Sequence, residues 1–156
     1  MDDRLFRDAM GKFATGVTVL LTENEEEVHG MTANGFMSVS LDPKLVVISI
    51  GHTARFLEKV TASKTYTVNI LASDQEHYSR HFAGRPNEHV IFDRLANQPV
   101  LKGAIAQVAC EVVAEHVEGD HTLIIGKVCD IHVTTGDPLL FFGGQYRILQ
   151  DVPTNV

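Results

Sequence analysis

Two alternating apolar segments joined by a Gly-Asp turn limit this chain more than any other feature. From Ile105 to Val113, Ala106, Val108, Cys110 and Val112 alternate with Gln107 and Glu111. Glu118-Gly119-Asp120 is turn chemistry, and Thr122 to Val133 then places Leu123, Ile125, Cys129 and Ile131 on one face. Period-two patterning on both sides of a turn predicts an antiparallel hairpin with long arms. A lone hairpin is marginal in water, so further strands must cover it.

The rest of the chain supplies them. Val17-Thr18-Val19-Leu20-Leu21 has the β-branched density of a strand, and Glu23-Asn24-Glu25-Glu26-Glu27 reads as a solvated hairpin tip. Leu45 to Ile50 is apolar on both faces, the pattern of a strand buried on two sides. Tyr66, Val68 and Ile70 alternate with Thr67 and Asn69, and Leu139–Phe142 with Tyr146–Leu149 form a last hairpin around Gly143-Gly144. Three short helices fit between. Leu5, Phe6, Ala9, Met10 and Phe13 follow helical spacing behind Asp2 or Asp3 as cap. Ala54–Ala62 buries Phe56, Leu57 and Val60 behind a Gly51-His52-Thr53 cap, and Gln75 to Phe82 ends at Gly84 and Pro86. Residues 85 to 99 lack a strong period and read as a surface excursion. Regular helix crossovers are missing, which excludes a doubly wound parallel sheet. The expectation is one domain over residues 1–156, mainly β with short helices, closed as an antiparallel barrel.

Charge and motif content remove several function classes. A formal charge of −7 argues against non-specific nucleic-acid binding, which needs a basic surface. No apolar run approaches the ~20 residues that span a bilayer. The start, MDDRLFRDAM, lacks a signal pattern, so the expected location is cytoplasmic. Cys110 and Cys129 lack CxxC spacing and read as buried free thiols. GxGxxG after a strand, GxxxxGK[ST] and GxSxG are all missing, which disfavours a Rossmann site, a P-loop and a serine hydrolase. His77 and His81 are four apart on a predicted helix. Without a third ligand or an HExxH glutamate they read as surface histidines, and no metal is expected. His29, His52, His89, His116 and His132 are isolated and carry no assigned chemistry.

What remains is a set of binding segments. Gly30 to Ser40 is sparse in apolar residues, and Thr32, Asn34, Ser38 and Ser40 recur at even spacing. In one extended strand they share a face, a row that suits a flat, polar-edged ring. Ser49, Gly51, Thr53 and Arg55 lie at a strand-to-helix junction, a ready anion site or a plain capping turn. Arg85, after Phe82-Ala83-Gly84, offers a guanidinium for a phosphate, or is merely solvated. His121 follows Gly119-Asp120 at the mouth of a strand. There it can donate to a carboxamide or phosphate with Asp120 orienting it, or simply face water. No acid–base dyad accompanies these segments.

In chain order, Phe13-Ala14-Thr15-Gly16-Val17-Thr18-Val19, Gly30-Met31-Thr32-Ala33-Asn34, Ser38-Val39-Ser40, Ser49-Ile50, Phe82-Ala83-Gly84, Gly119-Asp120-His121-Thr122 and Pro138 to Phe142 through Tyr146-Arg147 resemble the short-chain flavin reductase family. Its members include the reductase components of two-component phenol and 4-hydroxyphenylacetate hydroxylases. The resemblance spans Leu5 to about Leu149. It implies a homodimeric, antiparallel Greek-key split β-barrel that binds FMN or FAD. It implies that Thr32, Ala33, Asn34, Ser38, Val39 and Ser40 contact the ring and ribityl chain. Ser49, Ile50, Gly51, Thr53, Ala54 and Arg55 would hold the phosphate end, and Phe82, Ala83 and Gly84 would close the far side. His121 would contact the nicotinamide nucleotide, with Tyr146 and Arg147 lining the same cleft.

The activity implied is hydride transfer from NADH, or NADPH, to the flavin, which then serves a partner flavin-dependent aromatic monooxygenase. Such transfer needs positioning rather than a protein acid or base. A non-catalytic flavin carrier or sensor on the same barrel is the alternative; it would keep the Thr32–Ser40 row without needing the His121 turn. Gly35 stands where relatives more often carry Ala or Ser, which implies a looser pocket edge.

Overall fold

The computed structural model describes residues 1–154. The elements in order are α1 (Asp3–Met10), β1 (Thr15–Gly16), β2 (Thr18–Asn24), β3 (Glu27–Ala33), β4 (Phe36–Leu41) and β5 (Lys44–Gly51). There follow α2 (Arg55–Ser63), β6 (Thr65–Ile70), α3 (Glu76–Phe82), β7 (Phe92–Leu95), β8 (Gln98–Leu101), β9 (Ala106–Glu118), β10 (His121–Val133), β11 (Leu140–Phe142) and β12 (Gln145–Arg147). Seven strands form one antiparallel sheet in the order β3-β2-β6-β9-β10-β5-β4. Its two edge strands, β3 and β4, are consecutive in the chain and joined only by Asn34-Gly35. The sheet therefore curls until its edges meet. Thr18 Oγ1 on β2 donates to Ala33 O at 2.7 Å, and Ser49 N on β5 donates to Gly35 O at 2.9 Å. Among the described residues no ladder joins β3 to β4, so the barrel is split along this seam.

The barrel interior holds Leu20, Ile48, Ile50, Tyr66, Val68 and Ile124, all fully buried, with Phe56 and Val60 of α2 packed against them. A second core lies outside the sheet, where Val19, Leu21, Leu71, Leu101 and Leu139 meet Tyr78, Phe82 and Phe92. Two cores explain why β2 is buried on both faces. They also correct the reading of β6. Thr67 and Asn69 do not face water, because β8 crosses over them. Thr67 Oγ1 donates to Pro99 O at 2.7 Å, and Asn69 Oδ1 accepts from Leu101 N at 2.9 Å.

Two further expectations change, at residues 92–101 and at Cys129, and β10 shows which of its faces points inward. The β10 side chains inside the barrel are Thr122 and Ile124, so Leu123 and Ile125 belong to the outward, half-buried face. Gly126 continues the inward set, since a Cβ there would lie 2.2 Å from Tyr66 Oη. A gap in the apolar pattern at Gly126 hid the inward face from a periodicity argument. Residues 92–101 are not an excursion but the β7–β8 hairpin, held to β2 by Arg94, whose guanidinium donates twice to Glu23 at 2.7 Å. Cys110 is buried, and burial pushes its thiol up to about 12, but Cys129 is exposed because it sits at a bulge in β10.

Helix α1 forms as expected, with Asp2 Oδ1 accepting from Arg4 N at 2.9 Å. None of its residues is buried, and Leu5, Phe6, Met10 and the following Phe13 stay more than half exposed. Among the described residues no helix is long and apolar enough to cross a membrane.

Candidate functional site at the barrel seam

The Gly30–Ser40 stretch is not one strand. It breaks at Asn34-Gly35, and Val39 is an extra residue in the β4–β5 ladder, between Ser38 paired to Val46 and Ser40 paired to Leu45. Both features disrupt the even alternation, so the expected single row of hydroxyls does not exist. Thr32 Oγ1 instead donates to Ser79 O on α3 at 2.5 Å. Asn34 and Ser38 are exposed, and Ser40 is half-buried.

The break creates the site. A cavity of about 630 Å³ opens at the seam, lined by Thr15, Gly16, Asn34, Gly35, Met37 and Ser49 among others. That volume is within the range of small-molecule sites. Gly35 keeps the link against Ser49, since a Cβ would stand 3.2 Å from Ser49 Cβ. The expected loosening at Gly35 is thus a close approach. The walls are mainly apolar, from Phe13, Phe36, Val47, Ile70 and Leu123, with few polar groups. One of these, Thr15 Oγ1, is buried without a hydrogen-bond partner. Apolar walls with an unpartnered hydroxyl and an amide fit a flat heteroaromatic ring such as a flavin.

The strand-to-helix junction lies at the end of β5. Ile50 faces the core with no exposure, so only its backbone is available to a ligand, and Gly51, Thr53, Ala54 and Arg55 follow at or near the surface. The expected Gly51-His52-Thr53 cap is not used. Ala54 occupies the N-cap position of α2 with no side-chain bond, which leaves first-turn N–H groups beside Arg55 without a side-chain acceptor.

His121 is brought directly to this junction. It pairs with Gly51 across β5 and β10, and its Nδ1 lies 2.8 Å from Asp120 Oδ1. The imidazole beside it holds the Asp120 carboxyl below the usual carboxylate range, by hydrogen bond first and charge second. His52, which sequence reasoning left aside, joins this group. Its Nε2 is 3.0 Å from Thr122 Oγ1, and its N–H donates to Asp120 O at 2.9 Å. A solitary histidine in a loop gives no sequence signal of such a contact.

The remaining predicted residues gather elsewhere. Phe82 packs into the outer core over Gly30, where a Cβ would lie 2.5 Å from its ring, while Ala83 and Gly84 are exposed. Ala83, Arg80 and Arg85 share a second cavity of about 560 Å³ with Tyr146. Tyr146 Oη lies 2.6 Å from Ser79 Oγ, and Arg80 stacks over its ring at 5.0 Å. Arg147 is on β12 with its guanidinium 5.6 Å from the Phe142 ring. The described contacts thus join His121 to the Ser49–Arg55 segment and Tyr146 to the Phe82–Arg85 segment. Sequence reasoning put His121 and Tyr146 in one group. It assigned nothing to Ser79, and no role to Thr15 or Gly16 within their motif.

Comparison with known proteins agrees with this architecture. The flavin reductase like domain model matches residues 10–150. An NADH-dependent flavin reductase from Rhodococcus is 48% identical over 149 residues, covering 92% of this chain and 85% of that protein. The reductase component of 4-hydroxyphenylacetate 3-monooxygenase from Thermus thermophilus is 38% identical over 145 residues, covering 92% and 95%. The solved structure of the flavin reductase PheA2 in its native state superposes with a TM-score of 0.94 at 59% identity, covering 97% of this chain and 100% of that one. The family model covers most of the chain and the fold superposes on that of a flavin reductase, so this chain belongs to the flavin reductase like family.

Proposed function

We propose that this chain is an NADH-dependent flavin reductase that uses FAD or FMN and supplies reduced flavin to a separate flavin-dependent monooxygenase. The observation that carries the enzymatic reading over a passive carrier is the position of His121. Asp120 orients it, and β10 delivers it opposite Gly51, at the end of the strand whose Ser49 lines the cavity. A protein that only stores a flavin has no need for an oriented hydrogen-bond donor at that place.

A bound flavin would supply the hydride acceptor. The chain's own residues bind and orient. Thr32 to Asn34 and Ser38 to Ser40 flank the seam where the ring would lie. The uncapped N–H groups of α2, with Thr53 and Arg55, suit its phosphate end. Phe82 at the end of α3, with Ala83 and Gly84 after it, would close its far side. His121 would hold the nicotinamide nucleotide, with Tyr146 and Arg147 further along the cleft. Positioning is the protein's main contribution to hydride transfer. The relative from Rhodococcus is NADH-dependent, which favours NADH over NADPH. Such an enzyme works where NADH is kept available, in the cytoplasm.

The functional unit is a homodimer. Helix α1 presents Leu5, Phe6 and Met10 to solvent, while Val113 and Val117 are exposed near the β9–β10 turn and Ile131 and Val133 at the opposite end of that hairpin. An amphipathic helix whose apolar stripe stays more than half exposed in its own chain needs a second surface.

Anaerobic mixing of the protein with NADH and either FMN or FAD tests the reading, followed by bleaching of the flavin. Acceleration over the protein-free mixture is expected. A rate equal to the free mixture with both flavins, and with NADPH in place of NADH, overturns it.

A further inference from the structure

We propose that His52 is a positioning residue for His121, clamping the turn before β10 so that the His121 ring stays over the end of β5. The β5–β10 ladder ends at the Gly51–His121 pair, so Asp120 lies past the last rung onto β5. The Asp120–His121 contact joins two neighbours in the chain, and the Asp120 side chain is 96% exposed. Such a contact orients the ring against its neighbour but ties neither residue to the barrel, and water screens it. His52 supplies the tie from a separate element. Its N–H donates to Asp120 O at 2.9 Å, and its Nε2 lies 3.0 Å from the Thr122 hydroxyl. Both chain neighbours of His121 are therefore bonded to one residue of the β5–α2 connection. Thr122 is buried, and among the described residues His52 is the one hydrogen-bond partner of its hydroxyl.

A group that meets a nucleotide loses affinity when its backbone can drift, because binding must then order the segment that binds. The clamp removes that cost in advance. It acts through His121 and needs no contact between His52 and either ligand. The His52 N–H survives any side-chain change, so a variant at this position removes the ring contact to Thr122 alone. The inference rests on reading His121 as the group that holds the nicotinamide nucleotide.

The test compares wild type with His52→Ala, His52→Gln and Thr122→Val, and repeats His52→Ala in a His121→Ala background. KM for NADH and kcat are measured at saturating flavin, with Kd for FMN and FAD beside them. His52→Ala should raise KM for NADH about fivefold, with kcat and flavin Kd held to about twofold. His52→Gln should restore KM, because its amide reaches to about where Nε2 stands and can donate or accept. Thr122→Val should match His52→Ala, and the two combined should do no more than either alone. His52 is exposed, so its variants should fold whatever Thr122→Val does. With His121 already truncated, His52→Ala should change KM no further, which a general loss of structure would not reproduce. An unchanged KM in His52→Ala overturns the proposal, as does a KM rise that persists in the His121→Ala background. Flavin Kd rising in step with KM overturns it too. A wild-type KM for NADH in His121→Ala overturns the reading of His121 itself, and the clamp with it.

Discussion

His121 stands opposite Gly51 across β5 and β10, with its Nε2 3.6 Å from the point a Cβ on Gly51 would occupy. The imidazole lies over the strand end because nothing on β5 fills that space. A Cβ at this distance is ordinary van der Waals contact, so Gly51→Ala should fold and retain activity. Gly51→Leu should displace the ring, raising KM for NADH roughly tenfold while flavin Kd holds. Steady-state kinetics with NADH varied separates the two, and equal behaviour of Ala and Leu would disprove the steric reading.

His121→Ala should lower kcat/KM for NADH about tenfold and leave flavin binding intact. Equal loss in NADH kinetics and in flavin titration would contradict the assignment. The Asp120–His121 contact has a defined pH limit. His121 depresses the Asp120 carboxyl, so the carboxylate form persists throughout the neutral range. The contact is lost only as pH falls through that lowered value, below the ordinary carboxylate range. Loss of NADH affinity traced to Asp120, by comparison with Asp120→Asn, should therefore appear only at strongly acid pH.

Gly126→Ala should be among the most damaging single-methyl additions in this chain. The new Cβ would meet Tyr66 Oη at 2.2 Å and Cys110 Cβ at 2.9 Å, and Tyr66 is fully enclosed. Overpacking of this kind costs about 3 kcal/mol or more when the neighbour cannot move. Urea denaturation checks it, and a loss under about 1 kcal/mol would show that Tyr66 can shift.

Ser79→Ala should free the Tyr146 hydroxyl and cost about 1 kcal/mol. Tyr146→Phe breaks the same 2.6 Å bond from the other side. The double variant should lose less than the two single losses combined, because the pair is one interaction. Additive losses in denaturation would mean that the two hydroxyls act separately.

Charge on the exposed face of α1 should separate the subunits. Leu5→Lys with Phe6→Glu places two charges where an apolar stripe is solvent-exposed within one chain. Sedimentation should show dimer for wild type and monomer for the variant, with the barrel's circular dichroism retained. A monomeric wild type would overturn the dimer.

Legibility in the sequence followed the range of the forces involved. The hairpin at Glu118-Gly119-Asp120, the acidic tip at Glu25-Glu26 and the Gly143-Gly144 turn were readable, since turn chemistry is local and those glycines and glutamates take positive φ. Thr67 and Asn69 were not readable as core, because their burial depends on β8 arriving from thirty or so residues later. Which face of β10 points inward was not readable for a related reason. Gly126 carries no side chain, so the inward face of β10 looks empty in sequence although Tyr66 fills it.

The same division holds at the site. Sequence by itself determined which residue types are present: a run of small and hydroxyl residues after Gly30, an Asp-His turn, and the strands of an antiparallel fold. Tertiary structure alone decided how they act. It broke the Thr32–Ser40 row at Asn34-Gly35, turned Thr32 toward Ser79, and brought His121 to Gly51. It also gathered Thr15, Gly16, Asn34 and Ser49 around one cavity. Alternation along a strand is a local property of the backbone. Which strands become neighbours, and where a curled sheet fails to close, depends on the packing of the whole chain.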